Sequence, residues 1–424
     1  MTAISGANIW VFVIVGLLAL LAVWVVRTAG WRFAILRFAQ ALLIMVLVTF
    51  GTAVLMRMVD SSEVAEALGE LGLPEQGGPC LVALGTNADF DSVSQCIDDR
   101  NLDENVFTQY GLWLKSIVWD GDLGIAFFKN GELLSDVIKD RGPRTGWLFL
   151  YSQLVAFTIA IPVGIWSAYQ AGRKPRKLLV GLAALPIGLL FGWFIAYRLG
   201  SVGVFDGVAA LIFLVVMVVY FWMVARGGPS ADTTFNFSAF VLLSVPVFVI
   251  GETLRYLFSI QRGYYNLVGY VPWRGEDGWQ ALEHLRSLWL PALVLGLAAS
   301  PVYLRLLRTD MVQNLQQDFV TVAKAKGLPN WKILLRHVLR PSSLTLLTVA
   351  GLNISQLVNG AIITEFIFDL DGMGSYLIAA VARREYFPVQ TIVAITAVLF
   401  ISVNTLIDVF YSAVDPRVSA DADK

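Results

Sequence analysis

Charge is what this sequence has least of. Only 15% of its 424 residues are Asp, Glu, Lys or Arg, while 57% are hydrophobic. So small a polar complement cannot enclose a water-soluble core of this size, and the apolar residues must face lipid. The net charge of -1 argues against nucleic acid as a partner. Two cysteines, Cys80 and Cys96, are too few for a disulfide scaffold and lack the clustered spacing of a metal site. No GxxxxGK phosphate loop occurs, so ATP hydrolysis by this chain is not expected. Gly121, Gly124 and Gly131 follow no predicted strand, as a dinucleotide fingerprint would require. No constellation of Ser, Cys, His and Asp marks a nucleophile, and the sequence predicts no enzyme.

Long apolar runs fill the space the charges leave. A helix needs roughly 20 apolar residues to cross a bilayer, and nine stretches qualify: 9–27, 34–58, 147–170, 178–198, 204–225, 237–260, 288–308, 344–368 and 390–412. The run from Ile9 to Val26 has no charge before it and no small-residue cleavage site after it, so it is expected to stay as an uncleaved anchor. Arg27, Arg32 and Arg37 follow the first span, and Arg173, Lys174, Arg176 and Lys177 follow the third with no acid among them. The positive-inside rule places both links in the cytoplasm, together with the basic stretch between Arg305 and Arg340. Nine alternating spans then put the N-terminus outside and the C-terminus inside. His284 and His337 fall on opposite sides, which excludes a shared metal site.

Residues 59–143 are acidic and lie outside in this topology. They are too many for a bare connection, and Leu112, Trp113, Ile117, Val118, Phe127 and Phe128 predict a small extracytoplasmic domain. An oxidising compartment would permit Cys80 to bond Cys96. Two unpaired cysteines in a loosely packed loop are the other reading.

The segment Asp318 to Pro341, DFVTVAKAKGLPNWKILLRHVLRP, stands apart from its apolar neighbours. Phe319, Val322, Ala323 and Lys326 are expected on one side of a first short helix, with Gly327 at a tight turn. Leu328, Pro329 and Asn330 lead into a second helix carrying Ile333, Leu334, His337 and Val338, which Pro341 is expected to break. Such a knob suits the grip of a partner protein, or contact with anionic lipid.

This segment resembles the cytoplasmic EAA loop of binding-protein-dependent ABC importer permeases, most closely in the oligopeptide and dipeptide permease family. Thr321, Val322 and Ala323 stand at the three naming positions, so only Ala323 and Gly327 follow the general pattern; AKAKG followed by LLRHVLRP is similar to the peptide-family version. A second resemblance, TEFIFDLDGMG at Thr364 to Gly374, continues through Tyr386 to Gln390 and then Asn404, Asp408, Tyr411, Asp415, Pro416 and Arg417. The stretches Tyr110 to Phe127 and Ser244 to Phe258 are similar to family segments at the second and third core helices.

The resemblance implies an all-α polytopic membrane protein in which six of about nine transmembrane helices form the permease core. The expected organisation is an additional N-terminal helix (1–31), the first core helix (32–58), the extracytoplasmic domain (59–143) and the second core helix (144–175). An additional helical pair (176–235) precedes the remaining core (236–418), which carries the coupling loop 309–343, and a cytoplasmic tail (419–424) ends the chain. By resemblance, Phe319, Val322, Ala323, Lys324, Lys326, Gly327 and Leu328 would couple the chain to an ATPase. Implied partners are two ATPase subunits, which use ATP and Mg, a second homologous permease, and an extracytoplasmic solute-binding protein. No cofactor is implied for the chain itself. The implied location is the bacterial cytoplasmic (inner) membrane and the implied function is inward movement of peptides or similar solutes. A secondary transporter driven by an ion gradient and a noncatalytic scaffold are the alternatives.

Asn353, Gln356 and Asn359 are spaced by three and share a face of an apolar helix. Helix adhesion and a translocation path are both open to them. Glu365 reads either as lining the path near an outer gate or as a carboxylate bonded to the backbone of FDLDGMG. Asp371, Gly372 and Gly374 read as turn chemistry. Glu252 and Arg255 are spaced to pair.

Overall fold

The computed structural model describes residues 31–58, 90–100, 104–121, 123, 125–126, 132–171, 245–260, 269–275, 278–382 and 386–414. The expected spans at 9–27, 178–198 and 204–225 lie outside the described residues, as do Cys80, residues 59–89, the basic link at 173–177 and the tail at 419–424. So do the side chains of Cys96, Gln356 and Asn359.

The described chain is helical. In order it forms α1 (Trp31–Met58), α2 (Phe90–Arg100), α3 (Val106–Lys115), α4 (Leu134–Gln170), α5 (Val247–Arg255), α6 (Ala281–Asn314), α7 (Asp318–Ala325), α8 (Asn330–Lys332), α9 (Leu339–Leu352), α10 (Ile354–Phe368), α11 (Met373–Ala382) and α12 (Tyr386–Val414). Two antiparallel ladders of two residues per strand interrupt them: β1 (Ile125–Ala126) with β2 (Glu132–Leu133), and β3 (Arg274–Gly275) with β4 (Gly278–Trp279). Among the described residues, three stretches are long and apolar enough to cross a membrane: Leu134–Gln170, Ala281–Asn314 and Pro388–Thr405.

Two compact units divide the chain, Met1–Gly146 with Leu370–Lys424, and Trp147–Asp369. In the first, α1 runs along α12 and also meets α3. Thr49 Oγ1 lies 2.8 Å from the Tyr110 hydroxyl, and the Phe50 ring packs on Phe107 and Tyr110. Asn105 caps α3 by accepting the Thr108 amide at 2.8 Å. Leu134, Val137, Tyr376 and Ile392 form one buried cluster in this unit.

In the second unit α6 is the central post, touching α5, α9 and α10. Leu288, Leu295, Tyr303, Leu307 and Met311 recur along its buried side. The helices approach closely where side chains vanish: a Cβ on Gly296 of α6 would meet Val155 of α4, and one on Gly360 of α10 would meet Leu295. Without a hydrophobic driving force between helices in lipid, such close contact is what holds a bundle together. At the start of α6, His284 is wholly buried, its Nδ1 2.7 Å from the Val271 carbonyl and its ring edge-on to Trp147, Tyr151, Tyr270 and Trp273.

Two expected boundaries move. The run at 344–368 is not one helix: α9 ends at Leu352 and α10 begins at Ile354, with Asn353 at φ -74°, ψ -6° between them. An asparagine side chain competes for backbone hydrogen bonds and so favours a helix end over an interior. Pro341, expected to end a helix, is the third residue of α9. A π-helical turn at Ile333–Val338 directly precedes α9. Such a widened turn takes up the local mismatch around a residue that has no N–H to return.

Candidate functional site

The knob after α6 is built on a short linker and a glycine. α6 closes with the Leu315 amide bonded to the Met311 carbonyl at 2.9 Å, and α7 opens three residues later. At its far end Gly327 has φ +73°. Its amide donates to the Lys324 carbonyl at 2.9 Å, while the Leu328 amide reaches back to Ala323 at 3.2 Å. These two bonds form a Schellman motif, which satisfies the last carbonyls of α7 and needs a left-handed residue at the glycine. Leu328 then folds onto the core cluster that holds Val320 and Ala323, supplying the apolar contact that accompanies such motifs.

The buried stripe of α7 is Val320 and Ala323, 1% and 5% exposed, packed with Leu304, Leu307, Met311, Ile333, Leu334 and Val338. Phe319 and Val322 face outward at 41% and 53% exposure, with Lys324 and Lys326 also exposed. The expected common side of Phe319, Val322, Ala323 and Lys326 is therefore split, with Ala323 turned inward. Helical periodicity alone cannot tell which of two apolar stripes on an eight-residue helix is buried; the pocket beneath it admits the smaller pair. The result is an exposed apolar patch with cations beside it on a helix whose inner face is fixed. The base of the knob is tied where Asn314 Nδ2 donates to Ser342 Oγ at 2.9 Å.

Asn353, at the α9–α10 junction, lies among polar groups of two other helices. The Tyr303 hydroxyl of α6 donates to Gln153 Oε1 of α4 at 3.1 Å, and the Asn353 side chain approaches the same hydroxyl. Removing the hydroxyl that bonds Gln153 with Tyr303→Phe is expected to cost about 1 kcal/mol of stability, read as a lowered unfolding temperature of the purified chain. An unchanged temperature would show that the hydroxyl does not hold these helices.

Glu365 is buried in α10. Beyond it Asp369 takes φ +52° and returns its amide to the Glu365 carbonyl. The left-handed residues of FDLDGMG are thus Asp369 and Asp371, the latter at φ +49°, and not the glycines. Aspartate tolerates this region because its short side chain bonds locally. Arg255 donates to the Ile367 carbonyl at 3.0 Å and pairs with Glu252 at 3.2 Å, so the spaced pair also covers an end carbonyl of α10.

In the other unit, Arg141 and Arg144 of α4 grip Asp371. Arg141 Nη2 donates to Asp371 Oδ2 at 2.9 Å, its guanidinium lies 5.0 Å from the Tyr376 ring centroid, and Arg144 Nη1 reaches the Asp371 carbonyl at 3.3 Å. Thr145 Oγ1 accepts the Met373 amide at 2.9 Å. Sequence reading missed this clamp because its partners are about 230 residues apart. Its only local trace is the i,i+4 spacing of Asp140 and Arg144, which pair at 2.6 Å.

Residues 221–420 match the family described as binding-protein-dependent transport system inner membrane component. The chain is 30% identical over 386 residues to a protein of Brucella abortus named as a peptide transport system permease, covering 91% of this chain and 98% of that one. It is 27% identical over 372 residues to the dipeptide transport system permease protein DppB of Escherichia coli, covering 88% and 94%. With the oligopeptide transport system permease protein AppB of Bacillus subtilis it shares 26% identity over 324 residues, covering 76% and 84%.

Proposed function

Because the chain belongs to the family of binding-protein-dependent transport system inner membrane components, the permeases of ABC importers, we propose that it moves peptides inward with α7 as its mechanical input. The observation that carries this reading is the α7 surface: Phe319 and Val322 exposed over a buried Val320–Ala323 stripe, held at one end by the Gly327 turn. An exposed apolar pair flanked by lysines is a surface for a protein cleft. Two ATPase subunits supply the stroke, a second homologous permease completes the pathway, and an extracytoplasmic solute-binding protein delivers the load. ATP binding draws the ATPases together, their motion displaces α7, and the permease pair alternates between outward and inward openings.

In this proposal the chain lies in the bacterial inner membrane with the N-terminus outside and the C-terminus inside. It has nine spans, of which six form the core, and residues 59–143 form an extracytoplasmic domain. Asn353, Gln356, Asn359 and Glu365 belong to the pathway or its outer gate. Peptide is chosen from the named substrates of the relatives, and uptake assays comparing di- and oligopeptides with nickel complexes and short glycosides test it. Uptake restricted to a non-peptide would refute the choice.

The coupling role is tested by Phe319→Asp with Val322→Asp, both at exposed positions where the fold should survive. Co-purification of the ATPase with the full-length chain is expected to fall at least roughly tenfold, as for loss of an interface anchor. Wild-type assembly by the double variant would overturn the assignment of α7 as the docking element.

A further inference from the structure

Between the last turns of α4 and the helix that follows Gly327 lies an apolar groove of about 670 Å³. Ile161, Ile165, Trp166 and Tyr169 form one wall, and Trp331, Leu334 and Leu335 the other. Trp331 and Leu335 are 65% and 49% exposed, so the groove is open at its side. Trp166 and Tyr169 at the end of an apolar span, with Trp331 across from them, are residue types that settle at a membrane interface. Lys332 and Arg336 directly follow Trp331 and Leu335 in the chain, each one residue beyond a residue that lines the groove. No described carboxylate pairs with either cation. In sequence, the chain leaving α4 continues with Arg173, Lys174, Arg176 and Lys177 and no acid.

We propose that this groove holds the acyl chain of an anionic phospholipid, with its headgroup phosphate against Lys332 and Arg336. The chemistry selects lipid over a peptide segment. The lining offers polar side-chain groups only at Asn330, the Trp166 and Trp331 indoles and the Tyr169 hydroxyl, so an extended peptide backbone lying here would leave most of its own polar groups unpaired, whereas an acyl chain has none to satisfy. The cations favour an anionic headgroup over a zwitterionic one. A lipid seated here wedges α4 against the helix that carries the knob, and this goes beyond the transport reading because it does not depend on which solute moves.

The full-length chain, delipidated in detergent, is titrated with phosphatidylglycerol and with phosphatidylcholine of the same acyl chains, and retained lipid is counted by native mass spectrometry. Phosphatidylglycerol is expected to be retained roughly thirtyfold better, the worth of two interfacial cations. The surface variant Lys332→Gln with Arg336→Gln should bring it down to the phosphatidylcholine level, and Ile165→Trp, which fills the groove, should lower both. Phosphatidylglycerol with brominated acyl chains should quench tryptophan fluorescence in the wild-type chain and quench less in Trp331→Phe. Equal retention of the two lipids, undiminished phosphatidylglycerol in the surface variant, or unchanged quenching in Trp331→Phe would each overturn the proposal. So would loss of the lipid on adding the ATPase or on dimerisation of the chain, which would assign the groove to a protein.

Discussion

Gly327→Pro is expected to leave the chain inserted in the membrane while separating ATP hydrolysis from solute uptake. The glycine sits at φ +73° and proline is confined near -65°, so the turn cannot keep its shape. Proline also deletes the amide that donates to Lys324, and the neighbouring bond from Leu328 to Ala323 goes with the turn. Leu328 then loses its seat on the cluster that fixes Val320 and Ala323, and the exposed Phe319–Val322 face loses its fixed direction. Insertion depends on the long apolar spans, which the change does not touch.

A graded series sharpens the result. Space is open around Gly327, with nothing within 4 Å of where a Cβ would stand, so Gly327→Ala meets no clash. It does meet the left-handed backbone, at about 1–2 kcal/mol. Gly327→Asn should sit closest to wild type because asparagine tolerates that conformation. Reconstituted complex assayed for ATPase rate and uptake should therefore order coupling as Gly, Asn, Ala, Pro. Wild-type coupling in Gly327→Pro would show that this turn does not transmit the nucleotide signal.

Gly296→Ala is expected to destabilise the chain more than a single methyl group usually does. A Cβ there would lie 2.6 Å from Val155 Cγ1, 2.7 Å from Val155 Cβ and 2.9 Å from the Ser152 carbonyl oxygen. The last contact is backbone and the second is the root of a β-branched side chain, so no rotamer change relieves them. α4 and α6 must separate, at an overpacking cost of about 1–3 kcal/mol. Gly51→Ala in α1 and Gly111→Ala in α3, where nothing stands within 4 Å, are the matched controls. Purified full-length variants followed by thermal unfolding should give a fall of several degrees for Gly296→Ala and none for the controls. An unshifted transition would mean that the two helices do not meet at this glycine.

Much of the site was legible because its signals are local. A glycine after a short amphipathic stretch and before Leu-Pro announces the end of a helix, and Gly327 indeed closes α7 with a Schellman turn. Glu252 and Arg255 are one helical turn apart and pair as their spacing suggests. Local rules did less well where two stripes competed: Phe319 is the largest apolar residue of α7, yet Val320 and Ala323 are the buried ones. The break at Asn353 lies where Asn353, Gln356 and Asn359 interrupt the apolar run, and their spacing of three reads as one face of a continuous helix rather than as a helix end.

By itself the sequence determined that this is a helical membrane chain, where several of its helices lie, and which basic loop lies between two of its spans. Those properties follow from apolar run length, loop charge and residues a few positions apart, all of which a linear string carries. Tertiary structure alone decided that Arg141 and Arg144 hold Asp371, that Gly296 admits Val155, and that Trp331 and Leu335 face Ile165 across a groove. Each of these joins residues more than a hundred positions apart, and their meeting depends on how helices approach and cross. No spacing in the chain encodes that, because the closeness is set by which small side chains happen to oppose one another after folding.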